Sequence, residues 1–193
     1  MGSRTRDLPP LTGIAGVLRE LRYQEVARQG IGLLLMPVYA LLSQPLPGLF
    51  LAGAVLAVAG ALVRLYASGY ITKNQELATV GPYSLVRHPL YTGNLLLVAG
   101  FTLASGLWWA AVLSVLFWWF YYPAAIEYED RKLRRIFGQP CEDWQRATPA
   151  VIPAGLVPKR GGSWSFRTSM SRNAEPLVLA YSAFWLGWIY WQL

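Results

Sequence analysis

The chain has 193 residues, 54% of them hydrophobic and only 14% charged, with a formal net charge of +7. Soluble domains carry about 25% charged residues, so a large soluble core is excluded. The length has room for about four or five membrane spans of about 20 apolar residues each. One cysteine, Cys141, and one histidine, His88, exclude an internal disulfide and leave too few ligands for a usual zinc site, so no metal is expected.

Residues 1–28 form the first segment, where Leu18, Leu21 and Val26 interleave with charges. It is expected to lie along the membrane interface. No small-residue cleavage site follows the first apolar stretch, so that stretch is read as a retained span rather than a secretory signal. Apolar stretches then run over 29–43, 49–70, 90–104, 107–126 and 175–193. The connectors 44–48 and 105–106 are short and uncharged, so the first four stretches read as two helical hairpins, the first within residues 29–70 and the second within a core over 71–160. Residues 161–193 hold a linker and a last span. The fold class expected is an all-α polytopic membrane protein with about five transmembrane helices, two helical hairpins and a cytosolic cofactor-binding region.

Gly53, Ala57 and Ala61 in the second stretch, and Ala183 with Gly187 in the last, recur at the spacing that lets helices approach closely. All seventeen basic residues fall at one side of these spans: five before the first, Arg64 and Lys73 near the end of the second, Arg87 before the third, and nine from Arg131 to Arg172. This placement points to topology rather than nucleic acid. By the positive-inside rule that side is cytosolic, in a bacterial-type inner membrane or the endoplasmic reticulum. It gathers the N-terminus, the 71–89 loop and the 127–174 region on one face.

The polar stretch from Gly81 to Asn94 holds the lone histidine between two apolar segments. Pro89 is expected at the first helical position with His88 as the cap before it. Arg87, His88 and the free amides of that helix start would suit a carboxylate or phosphate. The plainer alternative is a topology charge and a capping side chain. Tyr91 and Asn94 enter the apolar span on or near one face, with Gly93 leaving room beside them for a ligand or a neighbouring helix. After the fourth span Pro123 is expected to kink the helix. Glu127 either pairs with Arg131 four residues on or meets a ligand amine or Arg64, while Glu129 and Asp130 read more as a solvated face. Beyond Phe137 and Gly138, a short helix carries Trp144. Residues 148–153 fold back, either as a lid over the first cluster or as a surface connector.

These motifs resemble the isoprenylcysteine carboxyl methyltransferases and the related phospholipid methyltransferases. The likeness rests on Gly81, Tyr83, Arg87, His88, Pro89, Tyr91 and Gly93, then Glu127, Glu129, Asp130 and Leu133, then Phe137, Gly138, Trp144, Pro149 and Pro153, and covers about residues 60–155. Asp130 stands where a second Glu is expected, and Cys141 where an aromatic is common. The resemblance implies an S-adenosylmethionine-dependent methyltransferase acting on a lipophilic acceptor that enters from the bilayer, such as a prenylcysteine-type carboxylate. It implies cofactor contacts at Tyr83, Val86, Arg87, His88, Pro89, Tyr91, Gly93, Asn94, Glu127, Tyr128 and Glu129, with Arg87, His88, Tyr91 and Glu127 nearest the chemistry. For an amine or thiol acceptor, His88 is the candidate base. The alternatives are a phospholipid amine N-methyltransferase, an NADPH-dependent steroid-reductase-like enzyme and a non-catalytic membrane adaptor. The absence of a G-x-G-x-x-G or Walker loop is consistent with a cofactor cradle unlike those of soluble nucleotide folds.

Overall fold

The computed structural model describes residues 4–70, 76–171 and 173–193. Lys73 and Arg172, two of the basic residues that set the expected orientation, lie outside the described residues. Eight α-helices are described: α1 (Gly13–Tyr23), α2 (Glu25–Leu41), α3 (Pro47–Ser68), α4 (Pro89–Ala104), α5 (Trp108–Phe137), α6 (Gln139–Ala147), α7 (Phe166–Ser171) and α8 (Glu175–Trp191), with a single 3-10 turn at Pro82–Ser84. Prolines stand in the first turn of α3, α4, α6 and α8. There the missing N–H has no intrahelical partner to lose, and the fixed φ suits the helix.

Among the described residues two helices, α3 and α5, are long and apolar enough to cross a bilayer, and α4 is a shorter apolar helix. With 30 residues, α5 is about 45 Å long against a hydrocarbon core of about 30 Å. Its charged last turns therefore extend past the apolar zone. The helix runs unbroken through Pro123 to Phe137 and ends at Gly138, whose φ of 60° suits a residue without a Cβ.

The small residues decide which helices meet. A Cβ added at Gly100 of α4 would sit 2.6 Å from the Ala57 nitrogen and the Gly53 oxygen of α3, and one at Gly93 would sit 2.7 Å from the Gly60 oxygen. Gly53 and Ala57 thus act as expected, but the third contact position is Gly60 rather than Ala61. Because α3 and α4 fit so closely, the first expected hairpin does not close on itself. Helix α3 packs on α4 and α8, whereas α2 packs on α8, α4 and α5. Ala183 and Gly187 face outward, and a Cβ at Gly187 would meet nothing within 4 Å, so that pair brings no helix closer.

The far ends of the bundle are closed by uncharged bonds, from the Gln44 amide to the Ser105 carbonyl at 2.7 Å and from Gln192 Nε2 to the Ala40 carbonyl at 2.8 Å. At the opposite end, where α2 and α8 begin and α3 ends, sit the ion pairs. Helix α1 lies there against α5, with Arg22 Nε donating to the Phe120 carbonyl at 2.9 Å. Its Ile14 and Val17 are 80% and 61% exposed, which fits the expected interfacial helix.

Filling the α3–α4 contact should cost more than adding the same methyl where helices do not meet. Gly100→Ala is expected to destabilise by about 1–3 kcal/mol through overpacking, and Gly187→Ala to stay within about 0.5 kcal/mol. Thermal unfolding in detergent, read by circular dichroism, measures the difference.

Candidate functional site

At the charged end, residues 81–94 are held in place by the segment after α6. The amides of Arg87 and His88 donate to the carbonyls of Pro149 and Ala150 at 2.8 and 2.9 Å. Thr92 Oγ1 donates to the Val151 carbonyl at 2.7 Å, and Trp144 Nε1 to the Tyr83 carbonyl at 3.1 Å. Gly81 bridges to Lys159. Residues 148–153 therefore form a strap across the first cluster.

The side chains of Arg87 and His88 converge on one carboxylate. Arg87 Nη2 lies 2.7 Å from Asp130 Oδ2, and His88 Nε2 lies 3.0 Å from Asp130 Oδ1. A carboxylate only accepts, which places the imidazole proton on Nε2. His88 occupies the N-cap position, yet its side chain makes no capping bond; its ring stacks on Tyr91 at 5.4 Å between centroids. Arg87 Nη1 donates to the carbonyls of Gln145 and Thr148. Asp130, read from sequence as part of a solvated face, is buried, because the end of α5 packs against the start of α4 and against α6.

Of the two readings of Glu127, the structure shows the pairing with Arg131, while Glu129 faces the cavity described next. Glu127 accepts from Tyr23 at 2.8 Å and pairs with Arg131 at 3.1 Å, and it does not line that cavity. Burial and that hydrogen bond push the Tyr23 hydroxyl up to about 12. Arg64, its other expected partner, belongs to Glu175: Nη2 and Nε lie 2.8 and 3.2 Å from the two carboxylate oxygens. Ser68 donates to Glu175 at 2.8 Å, and Arg64 Nη1 donates to Asn94 at 2.6 Å.

A cavity of about 840 Å³ opens between α2, α4, α5 and α8, within the size range of small-molecule sites. Of the residues expected at a site, Tyr83, Arg87, His88, Pro89, Tyr91, Asn94, Tyr128 and Glu129 line it. Val86 is buried behind the turn, and Gly93 faces the Arg64 stem and the backbone of Gly60, so neither lines the wall. Deeper walls come from Gly32, Met36, Leu97, Val98 and Phe117. Among the described residues, three buried polar atoms of lining residues have no partner, the Tyr83 hydroxyl, Arg87 Nε and Arg28 Nε. Burial raises the Tyr83 hydroxyl well above the usual tyrosine range, so it is a donor at neutral pH.

Several lining residues escaped the sequence reading. Arg4, whose guanidinium lies 4.4 Å over the Tyr128 ring and pairs with Glu25, and Arg28 were counted only as topology charges. Asn173 and Ala174, at the start of α8, also line the wall. The available signal was Glu175, the only acidic residue after Asp143, placed at the head of an apolar span.

The Asp130 hub should be structural before it is chemical. Asp130→Asn leaves the largely buried Arg87 without its charge partner and is expected to cost about 3–5 kcal/mol. Thermal denaturation in detergent measures it, and a loss under about 1 kcal/mol would mean that the strap holds Arg87 without the carboxylate.

Residues 46–140 match the phospholipid methyltransferase family. The chain is 40% identical over 138 residues to the cobalt-zinc-cadmium resistance protein CzcN of Cupriavidus metallidurans, covering 70% of this chain and 60% of that protein. It is 41% identical over 103 residues to the nickel-cobalt-cadmium resistance protein NccN of Alcaligenes xylosoxydans xylosoxydans, covering 52% of this chain and 46% of that one. It is 28% identical over 111 residues to the protein-S-isoprenylcysteine O-methyltransferase of Schizosaccharomyces pombe, covering 58% and 46%. The matched regions thus span 46% to 60% of these relatives' lengths. No solved structure matches the chain.

Proposed function

With residues 46–140 of phospholipid methyltransferase type and a likeness to a protein-S-isoprenylcysteine O-methyltransferase, the chain is membrane-methyltransferase-like, and we propose that it transfers a methyl group from S-adenosylmethionine to a lipophilic acceptor. The observation that carries this is one cavity with two ends. Tyr83, Arg87, Tyr128 and Glu129 line its charged end, and Met36, Leu97, Val98 and Phe117 its apolar depth. On this reading α2, α3, α4, α5 and α8 all cross the membrane, with the charged end in the cytosol.

The lining fits the cofactor. Glu129 offers a carboxylate to its ammonium, and the unpartnered Tyr83 hydroxyl and Arg87 Nε offer donors to its carboxylate. The bound cofactor supplies an electrophilic methyl group, and a carboxylate acceptor needs no proton removed. The chain's own work is then to hold donor and acceptor aligned and shielded from water. His88, its Nε2–H donating to Asp130, stacks on the ring of Tyr91 and shares the Asp130 carboxylate with Arg87. It is a positioning residue. The names of CzcN and NccN concern resistance to metals and state no reaction. For this chain, methylation of a membrane component is the activity proposed.

Labelled S-adenosylmethionine, offered to purified protein in nanodiscs with prenylcysteine, phospholipid and other apolar acceptors, tests the reaction. Label in none of them, or preferential binding of NADPH, overturns it. Glu129→Gln is expected to weaken cofactor binding at least tenfold by calorimetry, and Glu127→Gln less than threefold, since only Glu129 faces the cavity. Equal losses would return the binding role to Glu127.

A further inference from the structure

Arg28, on α2 and outside the matched region, lines the cavity with a side chain only 7% exposed. Its guanidinium carbon lies 5.0 Å from the centroid of the Tyr91 ring and 5.3 Å from that of Tyr122. Its nearest carboxylate, Glu25, is 3.6 Å away, and that carboxylate also serves Arg4 and accepts from Gln29 at 2.8 Å. The Tyr122 hydroxyl is a further neighbour, yet Arg28 Nε has no partner. A guanidinium offers five N–H donors in a planar fork. Burying one among aromatic rings with a shared carboxylate is costly unless a further anion completes it.

Its place in the helix says what that anion carries. Arg28, Gly32 and Met36 follow one another at four-residue spacing along the cavity face of α2, and Val98 and Phe117 also line the chamber. From Arg28 to Met36 the helix advances roughly 12 Å, the reach of a medium-length hydrocarbon tail. A Cβ at Gly32 would sit 3.2 Å from the Phe117 ring, so glycine there lets that ring lie close against α2.

We infer that Arg28 is a head-group anchor, a site for an anionic amphiphile whose carboxylate or phosphate sits on the guanidinium while its tail runs past Gly32 to Met36 and Phe117. The inference rests on the methyl-transfer reading only in naming that amphiphile the acceptor. Glu129 and Arg28 then divide the cavity, the carboxylate taking the cationic ligand and the guanidinium the anionic one. Arginine suits this because its fork meets a carboxylate or phosphate through two bonds, which lysine cannot reproduce.

The test is photo-crosslinking of the protein in nanodiscs with a diazirine-bearing dodecanoate, with unlabelled dodecanoate, dodecyl phosphate, dodecanol and dodecylamine as competitors. Label is expected in peptides containing Met36 or Phe117. At least one anionic competitor should displace it at a concentration tenfold or more below the neutral and cationic ones, and the better of the two tells carboxylate from phosphate. In Arg28→Gln this preference should vanish, and Arg28→Lys should recover only part of it. S-Adenosylmethionine binding, measured on the same samples, should change less than threefold, which also shows that the variants fold. Equal displacement by all four competitors, or a preference that survives Arg28→Gln, overturns the inference. An Arg28-dependent preference in a protein that binds no S-adenosylmethionine upholds the anion site and overturns the methyl-transfer reading.

Discussion

One carboxylate, Asp130, joins the parts on which the cavity depends. It receives Arg87 and His88 from the start of α4, while its own backbone carbonyl accepts from Gln145 of α6 at 3.1 Å. Arg87 continues the connection to the strap through the Gln145 and Thr148 carbonyls. Each charge is taken out of water, and each is compensated by at least two directed bonds, the condition under which a buried ionic group ceases to be a liability. Without this hub the end of α5 has no reason to lie against the start of α4. Tyr128 and Glu129, which precede Asp130 on the same turn, would then not face the cavity.

A second ionic contact sets the opposite wall. Arg64 and Glu175 meet in a two-bonded pair, and Ser68 takes part in the same network. This fixes the head of α8 against the end of α3. Because α3 lies so close to α4 that glycine is needed at Gly60 and Gly93, Arg64 also reaches Asn94. Close backbone packing thus has a consequence beyond stability. It brings a buried arginine within reach of two partners on two helices, leaving no uncompensated charge where one would be expensive. The long α8 also takes the place beside α2 that the order of the chain would have given to α3.

The helices were legible because their signals are local. Apolar runs bounded by proline and glycine placed α3, α4, α8 and the start of α5 to within a few residues, while α5 continues to Phe137, past the end of its apolar run at 126, and the uncharged corners followed from composition alone. Pairing was less legible, since Gly60 and Ala61 are equally small and only the helix phase selects which faces α4. The site was half legible. Residues 81–94 and the end of α5 were expected to be neighbours, and they are. The burial of Asp130 was not, and the reading of Glu127 stayed open between two partners, because three acids within four residues point in different directions around a helix, and sequence spacing does not say which direction is inward. Arg28 and Glu175 were hidden for another reason. A charge at the end of a span looks the same in sequence whether it marks topology or closes a buried network.

The division of charge within the cavity follows from these two fixed walls. The hub holds α5 so that Glu129 faces inward, and α2, packed on α4 and α5, presents Arg28 to the rings of Tyr91 and Tyr122. Those rings stand where polar lining gives way to apolar lining. Tyr91 touches both sides of that boundary, stacked on His88 at 5.4 Å and edge-on to Tyr122 at 5.3 Å, so the hub that organises the charged end also fixes the aromatic neck. A ligand with a cationic centre and a ligand with an anionic head can therefore meet at that neck without either charge entering the hydrocarbon zone. For the proposed transfer from a water-soluble donor to an acceptor dissolved in lipid, that boundary is the place where low desolvation cost and close approach coincide.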